Sequence, residues 1–292
     1  MSSTLVLCAS HAPGMDRDTE EALGRTFRAG VAKARATIAE FDPELVLLFG
    51  GDHRRAFKTV VPAFGVAVSA SLMAEGMQQS AVLDVPGETA RALSEFLLGA
   101  GFDIAVCRSI ELDHAFGQPL GHYLGGVNRV PVIPMPVNCA GPPLPTAARV
   151  LDYGAAVGRF LDTLGKRVLV IGTGGLAHHP ASLDNDRYDM SDDERRTLNQ
   201  GSAEAARARM NPGWDKRFLA AMEAWDTPTL IKMTDTCEPV AGVGANEVRT
   251  WLAAAATAGG QGLQTVVYEP VLEWITGMGA MTSVPVAAGS AG

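Results

Sequence analysis

Short apolar runs alternate along the chain with longer segments in which apolar residues recur at helical spacing. Strands are predicted at the apolar runs, which are Thr4–Ala9, Leu45–Phe49, Ile104–Cys107, Val130–Val137, Val168–Ile171 and Leu263–Tyr268. Helices are predicted at Glu20–Phe41, Gly87–Gly101, Ala147–Leu164 and Glu247–Ala258, and the capping-box pattern of Ser191 and Glu194 predicts a further helix start. We therefore expect an α/β fold, a single three-layer α/β/α domain around a mixed, largely parallel sheet.

The sequence shows neither an internal repeat nor a linker that would divide the chain. We expect one domain over residues 1–282. The last segment, Ser283–Gly292, consists of small and uncharged residues and is expected to form a flexible tail. The most polar stretch, Pro180–Arg195, is expected to be a mobile loop.

Composition and charge exclude several classes of protein. The chain has 292 residues with 24 Lys plus Arg against 32 Asp plus Glu, and its net charge of −8 argues against binding to nucleic acid. No apolar stretch approaches the roughly 18 residues that a membrane span needs, and the apolar N-terminus lacks a basic leader. The four cysteines form no CxxC pair, so neither a disulfide scaffold nor a zinc ribbon is indicated. We expect a cytoplasmic protein.

Four of the six histidines follow predicted strands. His11, His53 and His178 each come after an apolar run and a short turn, and His114 lies a few residues beyond Ile104–Cys107. Ligands of open α/β sheets bind outside the carboxyl ends of the strands, so these four side chains are candidates for one site. Each of them taken alone would be an ordinary hydrogen-bonded loop residue.

The remaining two histidines and a glycine-rich turn are less informative. His122 lies in a short predicted helix and receives no role, while His179 is adjacent to His178, so the two side chains point to opposite sides of an extended segment. Residues Gly172–Ala177 match the GxGxxA dinucleotide pattern, but that pattern must open a helix, which Pro180 disfavours. We interpret the glycines as a tight turn that brings a histidine into a cleft.

Two histidines and one carboxylate form the facial triad of non-haem Fe(II) oxygenases. The residue types alone do not choose the carboxylate: Glu247, Glu273, Asp16 and Asp113 all qualify.

Several short motifs, in the same order along nearly the whole chain, resemble those of the class III extradiol ring-cleavage dioxygenases, in particular the branch that acts on 2,3-dihydroxyphenylpropionate. Each motif alone is weak, but their combination is specific. They are Ser10-His11-Ala12-Pro13, Gly51-Asp52-His53, Asp113–Leu120 (DHAFGQPL), Gly174–His178 (GGLAH), Asn211–Asp215 (NPGWD), Glu247–Trp251 (EVRTW) and Glu273–Gly277 (EWITG).

The resemblance implies Fe(II) bound by His11, His53 and Glu247, with His114 and His178 as the catalytic acid/base pair. It implies a substituted catechol and O₂ as substrates, and a 2-hydroxy-6-oxo-dienoate as product. Glu273 remains the alternative ligand, and manganese the alternative metal. A homo-oligomer is expected.

The sequence departs from the family pattern beside the expected pocket. Arg54 and Arg55 follow His53 where the family carries an aromatic and small polar residues, His179 replaces a glutamine, and residues 180–210 form a shorter segment. We expect these three side chains to contact substrate, with an arginine binding a substrate carboxylate. Two other functions stay open: a metal-binding or interaction module without oxygenase activity, and a metal-dependent hydrolase.

Overall fold

The computed structural model describes residues 3–18 and 23–283, and its strands and helices alternate as the sequence predicts. The strands are β1 Ser3–Ala9, β2 Leu45–Gly51, β3 Gly65–Ala67, β4 Ala70–Leu72, β5 Ala81–Val82, β6 Ala105–Cys107, β7 Ile110–Leu112, β8 Val132–Val137, β9 Arg167–Thr173, β10 Leu263–Val271 and β11 Thr276–Ser283. The helices are α1 Pro13–Arg17, α2 Arg25–Phe41, α3 Gly87–Gly99, α4 His114–Pro119, α5 Ala147–Leu161, α6 Asp192–Gly201, α7 Ala203–Ala208, α8 Pro212–Ala224, α9 Thr227–Asp235, α10 Glu238–Ala241 and α11 Val248–Ala256.

A six-stranded sheet in the order β10-β11-β1-β9-β2-β8 lies at the centre. The four strands β1, β9, β2 and β8 are parallel, while β11 runs antiparallel to both β1 and β10. Two smaller sheets, β3-β6 and β5-β4-β7, accompany it. The predicted mixed and largely parallel sheet is confirmed.

Alternate residues of the parallel strands enter two cores on opposite faces of this sheet. On β9, Val168 and Val170 pack in the core that contains Trp251 of α11, whereas Leu169 and Ile171 pack in the core of α2 and α4. Parallel strands buried on both faces read as continuous apolar runs, which is why they were easy to predict. The expected α/β class and its three layers are confirmed.

One predicted helix start is confirmed, and other predicted boundaries differ from the structure. The capping box at Ser191 is present and begins α6, because the Ser191 hydroxyl accepts the Glu194 N–H while the Glu194 carboxylate accepts the Ser191 N–H. Strand β11 was not predicted, and Ser283 closes it with a side chain that accepts the Val6 N–H. The other residues of the predicted tail and the first residues of the helix predicted from Glu20 lie outside the described residues.

None of the helices in the described ranges has the length and hydropathy that a bilayer crossing requires.

Candidate metal and catalytic site

The carboxyl ends of the parallel strands carry three of the four candidate histidines. His11 lies two residues beyond β1, His53 two residues beyond β2, and His178 follows the glycine turn after β9. His114 instead begins α4 directly after β7, with Asp113 as the N-cap. Glu247 ends a 3₁₀ turn, Val243–Glu247, that leads into α11.

Three of these histidines, His11, His53 and His178, converge on the carboxylate of Glu247, which is 3% exposed. Its Oε1 lies 2.8 Å from His53 Nε2. Its Oε2 lies 4.0 Å from His11 Nε2 and 3.8 Å from His178 Nε2. The structure thus brings together the two histidines and the glutamate that the resemblance names as metal ligands.

The ring of His114 lies in the same cluster. Its centroid is 4.6 Å from that of His53, with the planes 3° from parallel, and 5.4 Å from that of His11. Possible metal-binding nitrogens of these three histidines lie within 4.8 Å of one another, and so do possible ligand atoms of Glu75, Asp113 and His114.

Each of the four histidines uses Nδ1 for a hydrogen bond to a fixed partner. His11 Nδ1 lies 2.8 Å from Thr173 Oγ1, and His53 Nδ1 lies 2.9 Å from Asp113 Oδ2. The other two bonds join His114 Nδ1 to Glu75 Oε2 at 2.9 Å and His178 Nδ1 to Leu176 O at 2.8 Å. Because such bonds fix the ring orientation and the tautomer, Nε2 is left to bind a metal or move a proton.

The charges in the cluster suit a cation. Burial lowers the pKa of His11 to about 3, so this ring is neutral as a metal ligand must be. Burial alone would raise the pKa of Glu247, but His178, His53 and His11 outweigh it and hold that pKa well below its usual value. Glu247 is therefore ionised, as a metal-binding carboxylate must be.

The glycine turn after β9 positions the carboxylate of Glu247 as well as the ring of His178. The Gly175 N–H donates to Glu247 Oε2 at 2.7 Å, and a Cβ at Gly174 would lie 2.4 Å from Glu247 Cβ. His178 then pairs with Thr276 of β11 in an isolated antiparallel bridge, so the turn leads into extended chain and not into a helix. This agrees with the rejection of a dinucleotide site.

The other carboxylates considered as ligands are engaged elsewhere or exposed. Glu273 is exposed in the 3₁₀ turn Leu272–Trp274. Asp16 pairs with His122, and Asp113 holds His53. Of the four candidates, Glu247 is the one whose carboxylate faces Nε2 of the clustered histidines.

The three residues expected to contact substrate differ in their surroundings. The buried Arg54 donates to the carbonyls of Ala140, Leu183 and Asn185 and stacks on Tyr188. His179 lies 3.0 Å from Asp184, 2.9 Å from an Arg209 nitrogen, and accepts the Val243 N–H. Arg55 reaches the histidine cluster through Glu75, because one guanidinium nitrogen lies 2.5 Å from Glu75 Oε1. Another guanidinium nitrogen pairs with Asp192.

Three residues of the site had no signal in the sequence. Glu75 follows the three-residue strand β4, which has no readable period, and Thr173 is an ordinary strand end. Arg195 lies in the stretch expected to be a mobile loop, yet it is buried in α6 and donates to the carbonyls of His53 and Arg54. Their contacts come from distant parts of the chain, which no local pattern reports.

The family described as the catalytic LigB subunit of aromatic ring-opening dioxygenase matches residues 5–279. The chain is 36% identical over 304 residues to a protein of Klebsiella pneumoniae, covering 94% of this chain and 97% of the relative. It is 36% identical over 310 residues to one of Pseudomonas putida, covering 96% and 98%. A relative from Escherichia coli is 35% identical over 305 residues, covering 94% and 97%. All three are named as 2,3-dihydroxyphenylpropionate/2,3-dihydroxicinnamic acid 1,2-dioxygenases. The sequence match and the clustered histidines agree, and the chain belongs to this family of aromatic ring-opening dioxygenases.

Proposed function

We propose that this dioxygenase is an Fe(II)-dependent extradiol enzyme that opens a catechol ring next to its two hydroxyl groups and adds both atoms of O₂. The product is a 2-hydroxy-6-oxo-dienoate. The observation that carries the proposal is the convergence of two histidines and one buried carboxylate, with two further histidines beside them.

The donor set fits the metal. Imidazole nitrogens of His11 and His53 with one carboxylate oxygen of Glu247 are the ligand types of non-haem Fe(II) sites. Iron(II), when bound, supplies coordination of the catechol oxygens and electron transfer to dioxygen. Thr173 and Asp113 keep Nε2 of the two histidines free for the metal.

His178 is the proposed base. A backbone carbonyl can only accept, so the contact of His178 Nδ1 with Leu176 O places the ring proton on Nδ1. In the neutral ring Nε2 is then the acceptor, and it lies 3.8 Å from the carboxylate of Glu247. His178 Nε2 is thus placed to take the proton that a catechol hydroxyl must lose.

His114 is the proposed acid. Its ring is stacked on His53, with Nδ1 bound to the carboxylate of Glu75. An anionic acceptor balances the positive charge of a doubly protonated ring. His114 Nε2 can therefore return a proton to a substrate oxygen as the ring opens.

We further propose a catechol with an acidic side chain, such as 2,3-dihydroxyphenylpropionate, as substrate. The names of the relatives support this class. Arg55 is the proposed carboxylate-binding residue, because its ion pair with the 53% exposed side chain of Asp192 can exchange for a substrate carboxylate. Arg54 and His179 are already held by protein groups, so we assign them to shaping the pocket wall.

The proposal is tested by oxygen uptake and product absorbance with anaerobically Fe(II)-loaded protein and substituted catechols. We expect uptake of one O₂ per catechol and a yellow product. His114→Ala and His178→Ala should keep iron and lose about 10²–10⁴-fold in turnover. Iron binding without oxygen uptake would instead indicate a binding module, and product formation without oxygen a hydrolase.

A further inference from the structure

The carboxylate of Glu75 holds the catalytic ring of His114 at two points. Glu75 Oε2 lies 2.9 Å from His114 Nδ1 and also accepts the backbone N–H of His114 at 3.2 Å. Both donors belong to one residue and share one acceptor atom, so the contact fixes the rotation of the ring as well as its tautomer.

The same arrangement occurs behind the neighbouring ring. Asp113 Oδ2 accepts both the backbone N–H and Nδ1 of His53, each at 2.9 Å. The stacked histidines His53 and His114 are therefore held by equivalent contacts from two different carboxylates. His53 is a proposed metal ligand and His114 is not. Asp113 should therefore support metal binding, whereas Glu75 should support turnover.

Glu75 is itself held in place. Its other oxygen, Oε1, lies 2.5 Å from the guanidinium of Arg55, and its backbone forms an isolated bridge with Gln78. Arg55 in turn follows the ligand His53 by two residues and pairs with Asp192 at the start of α6. The side chains of Arg55 and Glu75 are 11% and 14% exposed, so the contact between these two residues is largely shielded from water.

We propose that Glu75 is the positioning residue of His114 and that Arg55 holds Glu75 in the orientation this requires. The inference rests on the proposed function, in which His114 moves a proton. Glu75 reaches the reaction only through His114, by keeping the ring proton on Nδ1 and Nε2 directed into the site.

The test compares Glu75→Ala and Glu75→Gln with Glu111→Ala, an exposed glutamate of β7, as the matched control. Because a partner of this kind usually contributes 10- to 100-fold, kcat of Glu75→Ala should fall by about that factor, with KM within about threefold of wild type and iron content unchanged. Glutamine keeps an acceptor for Nδ1–H, so Glu75→Gln should recover at least part of kcat. Glu111→Ala should match wild type.

A second measurement does not depend on turnover. Imidazole ¹⁵N shifts of His114 in the metal-free full chain should show the Nδ1–H tautomer in wild type and Glu75→Gln, and a mixture of tautomers in Glu75→Ala. If Glu75→Ala does not fold, Glu75→Met, which keeps most of the side-chain volume but lacks the carboxylate acceptor, takes its place with the same expected loss of kcat and the same mixture of tautomers. An unchanged kcat, loss of iron, or an unchanged tautomer in Glu75→Ala would overturn the inference. Absence of oxygen uptake by wild type would overturn the proposed function instead, and the tautomer measurement would still stand.

Discussion

The imidazole rings of His53 and His114 lie face to face, 4.6 Å between centroids and 3° from parallel, although they come from the ends of different sheets. Each ring is bound through Nδ1 to its own carboxylate. The proposed metal ligand His53 and the proposed proton donor His114 thus lie against each other in the site, and His178 Nε2 lies 3.8 Å from the carboxylate of Glu247. This division of roles leads to distinct expectations for metal affinity and for turnover.

Removal of Glu247 should abolish iron retention, because it takes away the buried anionic donor among the histidines. Glu247→Ala should lose iron on gel filtration, as measured by a colorimetric iron assay. Glu273→Ala should retain it, since Glu273 is an exposed turn residue. Iron loss in the Glu273 variant with retention in the Glu247 variant would reverse the assignment of the carboxylate.

Asp113→Asn should weaken the metal site by about 10- to 100-fold in affinity, because Asp113 orients His53 from behind. Competition with a chromophoric chelator measures this. Glu111→Ala, two residues away on the exposed side of β7, should leave the affinity unchanged. Equal affinities in wild type and Asp113→Asn would show that Asp113 is not needed to orient the ligand.

The parallel core of the fold could be predicted because its strands are buried on both faces. Val168–Ile171, for example, is apolar throughout and serves both cores. Strand β11 was not predicted from the apolar pattern because two of its positions are glycines, where neighbouring side chains leave no room for a larger residue. A Cβ at Gly277 would lie 2.2 Å from Asp215 Oδ2, and one at Gly279 would lie 3.0 Å from Leu176 Cδ1.

The histidines of the site could be found from the sequence for a related reason. His11 and His53 follow strands that the apolar pattern reveals, so their meeting at one sheet edge is a consequence of topology. Glu247 has no such signal, since it ends a 3₁₀ turn far along the chain, and only the family resemblance selects it from the four candidate carboxylates. Glu75 was not found at all, because its contact with His114 depends on the pairing of β4 with β7.

Gly244→Ala should impair catalysis without removing the metal. A Cβ at Gly244 would lie 2.2 Å from His178 Nε2, so the ring must shift away from its position. A displacement of about 1 Å can cost about 10²-fold in rate, and we expect kcat to fall to that extent with iron retained. Gly201→Ala is the control, since its Cβ would meet nothing within 4 Å. Wild-type kcat in Gly244→Ala would remove His178 from the proposed role.

Arg55 and Asp192 should determine the preference for acidic substrates. A charge-assisted contact is worth about 1.5–3 kcal/mol, so Arg55→Ala should lower the ratio of kcat/KM for 2,3-dihydroxyphenylpropionate to that for its methyl ester by about ten- to a hundredfold. Any effect through Glu75 acts on both substrates and cancels in this ratio. Asp192→Asn removes the competing anion and should lower KM for the acid alone.

Two matched variants complete that comparison. Asp193→Asn changes an exposed carboxylate of the same helical turn, which pairs with Arg196, and should not alter the ratio. Arg54→Ala should not alter it either, because the Arg54 guanidinium is bound to carbonyl groups. An acid-to-ester ratio that is the same in wild type and Arg55→Ala would exclude Arg55 from substrate binding.

Asp215 should make the folded state less stable as the pH rises. Burial raises its pKa from 3.8 to about 6, although the Tyr268 hydroxyl and the Ala177 N–H both donate to it. Between pH 3.8 and about 6 the folded chain holds a proton on Asp215 that the unfolded chain has released. The stabilising contribution of this proton is therefore largest in acid and is lost as the pH rises through 6.

Asp215→Asn removes this titrating group, and the amide oxygen can still accept from the Ala177 N–H. The free energy of unfolding of this variant, relative to wild type, should therefore increase by about 2 kcal/mol from pH 4.5 to 7.5. Urea titrations at both pH values measure the change, with Asp193→Asn as the exposed control. A relative stability that does not vary with pH would show that Asp215 is ionised in the folded protein across this range.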